Sequence, residues 1–300
     1  MTDFLFRGTA PALVTPFTDD DRIDEYALRR LVDRQIDGGV EALVVLGTTG
    51  ENATIWPAER HRIVDIVLEH TNGRVPVIIG TGNNSTSESI VFSKEAATQG
   101  ADGLLVVGPY YNKPTQNGFF AHVAAIADAT DCPIIIYNVP GRTSFNITSE
   151  TSLRLAEEIP TVVGVKEASG DLGQISNILA HRPDHLAVYA GDDEFALPLI
   201  CLGADGVVSV ISNVLPDLFS EMIRTGLAGD FDEARELHFR LLPAMRACFF
   251  ETNPIPVKMM LAEMGQIEPH LRLPLVPMED ANRQRTIDAF AGLVEEKVAG

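Results

Sequence analysis

Val162-Val163-Gly164-Val165-Lys166-Glu167-Ala168-Ser169 is an apolar run that ends in polar residues. Its apolar residues follow one another without polar alternation, the pattern of a strand covered on both faces in a parallel sheet. Seven more stretches share that pattern: Ala12–Phe17, Ala42–Gly47, Val75–Gly82, Gly103–Pro109, Pro133–Pro140, Ala187–Asp193 and Gly206–Asn213. Most begin about 30 residues apart, the length of a parallel crossover with its helix. Helix signals fill most of the gaps. Asp24 can cap a helix carrying Leu28, Leu31, Val32 and Ile36 that stops at Gly38-Gly39, Pro57 suits a first turn, and Ser85 or Thr86 can cap a helix ending near Gly100. Eight strand–helix units predict an α/β chain, a (β/α)8 TIM barrel, over residues 1–225. A doubly wound sheet rarely repeats so regularly. Residues 226–300 lie outside the repeat, and the amphipathic stretch Phe231–Phe250 and a helix starting at Asn253-Pro254-Ile255-Pro256 predict an appended C-terminal helical bundle.

Composition narrows the function. The 300 residues carry 23 basic and 42 acidic side chains, a net charge of −19. Such a chain repels phosphate backbones and anionic lipid, so no nucleic-acid partner and no membrane partner is expected. The start, Met1-Thr2-Asp3-Phe4-Leu5-Phe6, lacks the basic region of a signal peptide, and no apolar run is long enough to span a bilayer. Cys132, Cys201 and Cys248 are too scattered for a disulfide framework or a cysteine zinc site. A cytoplasmic location fits these features.

In a barrel of this kind the chemistry sits at the C-terminal ends of the strands. Lys166 falls there, inside an otherwise apolar run. A free lysine is neutral at pH 7 in only about one molecule in 2500, but desolvation lowers its pKa and creates a Schiff-base nucleophile. A rim lysine can also snorkel to water or pair with Glu167. Tyr137 ends the neighbouring run and could shuttle protons, with Tyr111 and Thr48 extending a hydroxyl chain; each tyrosine could equally be a packing residue. Thr49-Gly50 offers a hydroxyl and free amides to a small carboxylate, and Arg142, after Pro140-Gly141, offers a fork to a second one. Other patterns fail: Pro183 interrupts the His181/His185 pair, Gly80-Thr81-Gly82 lacks the third glycine of a dinucleotide fingerprint, and no phosphate loop or serine elbow occurs.

Taken together, Gly47-Thr48-Thr49-Gly50-Glu51, Tyr110-Tyr111-Asn112-Lys113-Pro114, Tyr137-Asn138-Val139-Pro140-Gly141-Arg142-Thr143, Val165-Lys166-Glu167 with Gly170-Asp171, and Asn253-Pro254-Ile255-Pro256-Val257-Lys258 resemble the dihydrodipicolinate synthase family of pyruvate-dependent class I aldolases. The likeness runs from about Gly8 to about Leu275. It implies that Lys166 forms an imine with pyruvate, that Tyr137 exchanges protons, and that Thr48 and Tyr111 complete the relay, Tyr111 from a neighbouring subunit. It further implies that Thr49 and the backbone near Val208 hold pyruvate, that Gly191 lines the pocket, and that Arg142 binds the carboxylate of L-aspartate 4-semialdehyde. The implied product is 4-hydroxytetrahydrodipicolinate, a precursor of diaminopimelate and lysine. The implied assembly is a homotetramer, a dimer of dimers, with no metal and no organic cofactor. Asn84, Glu88 and Tyr110 match the family's effector site, but Pro57 and Arg60 stand where lysine-inhibited relatives carry histidines, so weak or absent lysine feedback is expected. Two other readings are a lyase acting on N-acetylneuraminate or a 2-keto-3-deoxy sugar acid, and a silent binding protein. Arg142 and the Asn253–Lys258 segment disfavour the first, and the complete set Lys166, Tyr137, Tyr111 and Thr48 disfavours the second.

Overall fold

Eight parallel strands form a barrel in a computed structural model that describes residues 4–294. The strands are β1 (Gly8–Pro11), β2 (Leu43–Val45), β3 (Val77–Gly80), β4 (Gly103–Val107), β5 (Ile134–Asn138), β6 (Val162–Glu167), β7 (Ala187–Ala190) and β8 (Gly206–Ser209). Consecutive strands are neighbours from β2 to β8, and β8 pairs with β1. The last seam, between β1 and β2, is closed by a single Ala12–Val44 bridge, by Glu41 N donating to Thr9 O (2.8 Å), and by Leu13 N donating to Val44 O (2.9 Å).

That seam corrects one expectation. The first strand is Gly8-Thr9-Ala10-Pro11, four residues upstream of the Ala12–Phe17 run. Glycine and proline hide it from an apolar pattern, whereas Leu13, Val14 and Phe17 are buried beyond the barrel wall in the outer core. The N-terminal reading of Met1–Asp3 and the last positions of the C-terminal bundle lie outside the described residues.

Each strand splits its side chains between two cores, as a pleated strand must. Leu43, Val45, Ile134, Ile136, Val165 and Val188 face the helices. Ala42, Val44, Ile78, Leu105, Ile135, Tyr137, Tyr189 and Val208 fill the barrel interior. Phe6 stacks on Tyr189 at 4.2 Å between centroids and takes its hydroxyl hydrogen bond on the Phe6 carbonyl, an aromatic plug with its polar atom satisfied.

The helices are α1 (Glu25–Asp37), α2 (Pro57–Thr71), α3 (Thr86–Gln99), α4 (Gln116–Ala127), the single turn α5 (Pro140–Thr143), α6 (Ser149–Glu158), α7 (Leu172–His181), α8 (Asp193–Cys201), α9 (Pro216–Leu227), α10 (Phe231–Ala247), α11 (Ile255–Glu263) and α12 (Asp280–Phe290). Their ends follow the local chemistry. Asp24 accepts from Ala27 N (2.9 Å) and Ser85 from Glu88 N (3.4 Å), filling donors that a first turn leaves open. Pro57 opens α2, and Gly100 closes α3 in the left-handed conformation. The helix α9 follows β8 and runs to Leu227, across the expected boundary at 225. Among the described residues no helix is long and apolar enough to cross a membrane.

Candidate active site

Parallel register decides the centre of the site. Tyr137 on β5 pairs with Lys166 on β6, so both side chains enter the barrel at the same height. Lys166 Nζ lies 4.0 Å from the centroid of the Tyr137 ring. The next residue, Glu167, points the opposite way, as the pleat requires. Its carboxylate is taken by Asn138 Nδ2 (3.0 Å), Gln174 Nε2 (3.0 Å) and Ser169 N (2.8 Å). Lys166 is thus neither snorkelling, being 5% exposed, nor paired with Glu167.

Burial pulls the Lys166 pKa from 10.5 down to about 7; the Asp193 carboxylate opposes that pull and the Arg142 charge adds to it. About half of such amines are neutral at pH 7, roughly a thousandfold more than for free lysine. Burial also pushes the Tyr137 phenol up to about 12, against the Arg142 charge and a hydrogen bond with the Thr48 side chain. The phenol therefore keeps its proton at neutral pH and can lend it.

Thr48 and Thr49 come from a single 3-10 turn, Thr48–Gly50, directly after β2. Glu51 ends that turn in the left-handed conformation, φ +54°, which turns its side chain back into the protein. Thr49 Oγ1 receives a hydrogen bond from Asn253 Nδ2 (2.8 Å), and Arg142 Nη2 reaches Asn253 O (3.2 Å). Thr48, Arg142 and Asn253 line one cleft of about 170 Å³ with Glu51 and Thr252. Val208 lies in the barrel interior on β8. Gly191 follows β7 and donates to Glu167 O (2.8 Å). A Cβ there would sit 2.7 Å from that of Ala168, so the approach of β7 to β6 requires glycine.

Tyr111 is the residue that one chain does not bring to the centre. It is 91% exposed, makes no side-chain hydrogen bond to a described residue, and holds φ +70°. A non-glycine residue in that conformation is uncommon. Asn84, Glu88 and Tyr110 do come together: the Tyr110 phenol is raised by burial and by the Glu88 carboxylate and hydrogen-bonds the Asn84 backbone. His181 and His185 turn to separate carbonyls, those of Asn177 and Ala156.

Two features have no role in the sequence reading, although Glu51 and Asp193 both stand at strand ends in it. Asp193 is buried beside the site, raised to about 6 chiefly by burial, and accepts from Val210 N (3.0 Å) and Ile211 N (2.8 Å). Glu51 and Lys258 form a buried ion pair at 2.6 Å. Asp193 was hidden in the ordinary signal of a helix start, Asp192-Asp193-Glu194. Lys258 stood in plain view at the end of its motif, with nothing in the sequence to name its partner.

Comparison with known proteins extends this geometry. The model of the dihydrodipicolinate synthetase family matches residues 5–291. A 4-hydroxy-tetrahydrodipicolinate synthase of Salinibacter ruber is 64% identical over 299 residues, covering 99% of both chains. The crystal structure of dihydrodipicolinate synthase from Thermotoga maritima superposes with a TM-score of 0.94 at 44% identity, covering 95% of this chain and 98% of that one. The Acinetobacter baumannii dihydrodipicolinate synthase, solved in complex with pyruvate, gives 0.93 at 42% identity, covering 95% and 97%.

Proposed function

This chain belongs to the dihydrodipicolinate synthetase family, and on that premise we propose that it condenses pyruvate with L-aspartate 4-semialdehyde to 4-hydroxytetrahydrodipicolinate, through an imine on Lys166. One observation carries the reading most: a buried lysine amine lies 4.0 Å from the ring of a tyrosine in register on the next strand, where burial pulls its pKa down toward neutrality.

The neutral Lys166 amine adds to the keto carbon of pyruvate, and Tyr137 supplies the proton that lets the oxygen leave as water. The imine then draws electrons from the adjoining methyl group. Loss of a methyl proton gives an enamine, whose carbon attacks the aldehyde. The amine of the bound semialdehyde closes on the imine carbon and expels Lys166. Thr48 passes protons to and from Tyr137, and Tyr111 of a neighbouring copy completes the relay. Thr49 and the backbone near Val208 hold the pyruvate carboxylate, Gly191 leaves room beside it, and Arg142 at the cleft takes the carboxylate of the second substrate. The working assembly in this reading is a cytoplasmic homotetramer built as a dimer of dimers. The reaction asks for no metal and no organic cofactor.

Lysine feedback through Asn84, Glu88 and Tyr110 is weak in this reading. Pro57 has no polar side-chain atom to offer, and the Arg60 guanidinium is spent on Gly80 O (2.6 Å) and on the Phe92 ring, 4.3 Å away.

The competing sugar-acid lyase is tested directly. Purified protein should turn over pyruvate with aspartate 4-semialdehyde and leave N-acetylneuraminate and 2-keto-3-deoxy sugar acids uncleaved. Faster cleavage of a sugar acid would reverse the assignment.

A further inference from the structure

The buried pair Glu51–Lys258 lies directly behind the turn that carries Thr48 and Thr49. Lys258 projects from α11, outside the eight-unit repeat, and is 1% exposed. Its Nζ donates to Glu51 Oε1 at 2.6 Å and stands 4.3 Å from the centroid of Phe17. The other Glu51 oxygen accepts from Arg272 N (3.1 Å). Arg272 is itself held by Glu59, Asp21 and the Thr54 carbonyl. The Thr48–Gly50 turn is thereby tied at three points: Glu51 to Lys258, Thr49 to Asn253, and Gly50 O to Thr15 Oγ1 at 2.7 Å. Two of those ties come from the short segment Asn253–Lys258.

A buried ion pair is an expensive way to fill a core, because apolar residues of similar volume are often as stable or more so. What such a pair adds is direction: a short, charge-assisted hydrogen bond fixes both partners in a way that a packed methyl group does not. Here the fixed partner is the residue that ends the turn, and at the other end of the same turn the Thr48 side chain acts on the Tyr137 phenol, opposing the upward pull of burial on its pKa.

We infer that Lys258 is a positioning residue for the condensation: through Glu51 it holds the Thr48–Gly50 turn, and with it the hydroxyls of Thr48 and Thr49, at the reacting centre. The inference rests on the reaction proposed above. It assigns the segment beyond the barrel a part in proton transfer, although Lys258 touches no reacting atom.

The test separates imine formation from turnover. In the unaltered chain, borohydride with pyruvate measures imine at Lys166; without that adduct the proposed reaction itself fails, whatever Lys258 does. Lys258→Met and the charge-free double variant Glu51→Gln/Lys258→Met are then compared with it. With pyruvate saturating and trapping run to completion, the expected result is an undiminished imine yield, with kcat per trapped imine lower by roughly ten- to a hundredfold, the range a misplacement of about 1 Å produces. A purely structural role lowers imine yield and turnover together, or lowers neither once the double variant removes the orphaned charge, and either result overturns the inference. Should the charge deletions fail to fold, Asn253→Ala carries the same readout, because it removes the parallel tie to Thr49.

Discussion

Among the described residues two lysines are buried to nearly the same degree and meet different partners. Lys166 is 5% exposed and Lys258 is 1% exposed. Lys166 faces the ring of a tyrosine, with no carboxylate at ion-pair distance among the described residues, and its pKa falls to about 7. Burial lowers the pKa of Lys258 too, but Glu51 at 2.6 Å opposes that pull through a direct hydrogen bond. Burial alone therefore does not make a nucleophile. Both amines lie against an aromatic ring, so the difference is the carboxylate: Lys258 has one at hydrogen-bond distance that fastens it, and Lys166 does not.

The sharpest way to break the contrast is to delete each amine. Lys166→Ala should abolish imine formation and reduce turnover by roughly 10⁴-fold or more, as loss of a covalent nucleophile does. Lys258 variants should still form the imine. If Lys166→Ala kept measurable imine chemistry, the two lysines would have been assigned the wrong way round. Tyr137→Phe should leave pyruvate binding intact and slow both imine formation and turnover by about 10²–10⁴-fold, the share of a general acid–base. Single-turnover kinetics would check this, and near-normal turnover would remove Tyr137 from the relay.

Assembly offers the next test. A Tyr111→Phe chain mixed with a Lys166→Ala chain should regain part of the activity that each lacks alone, because a mixed pair holds one site with both native groups. No recovery after co-refolding would place the exposed Tyr111 phenol outside the neighbour's site.

Stability should move in opposite directions for the two lysines. The folded pKa of Lys166 lies below its unfolded value, so between pH 7 and 10.5 the unfolded chain binds more protons, and stability rises with pH across that window. The penalty is fully present below pH 7. Lys166→Met should therefore stabilise the protein by about 2–4 kcal/mol at pH 7, a gain that shrinks toward pH 10. Lys258→Met leaves Glu51 buried without its partner and should cost about 3–5 kcal/mol. Urea unfolding at pH 7 and pH 10 measures both, and equal signs would contradict the comparison. The smallest effect is that of an added ligand: L-lysine at millimolar concentration should leave turnover nearly unchanged, and strong inhibition would restore an effector role to Asn84, Glu88 and Tyr110.

Much of this was legible in the sequence because buried parallel strands leave uninterrupted apolar runs, and seven of the eight strands lie within such runs. The first did not, because Gly8-Thr9-Ala10-Pro11 has no bulky apolar residue and gains its place from pairing with β8. Lys166 was conspicuous as a charge within an apolar strand. Its partner Tyr137 could be named only by supposing adjacent strands in register, and the register makes that pairing. Glu51 and Asp193 could be placed at strand ends, but their partners could not be read. Long-range geometry decides them: an ion pair spanning 207 positions and a carboxylate held by the amides after β8 leave no local pattern.

The central claim is that one particular amine waits uncharged in the barrel. Borohydride reduction in the presence of pyruvate at pH 6, 7, 8, 9 and 10, followed by peptide mapping, tests it most directly. The account predicts one adduct, on the peptide containing Lys166, with trapping that rises most steeply around pH 7 and levels off above about pH 8. An adduct on Lys258, no adduct at all, or trapping that climbs steadily toward pH 10 as for an ordinary surface lysine would contradict it.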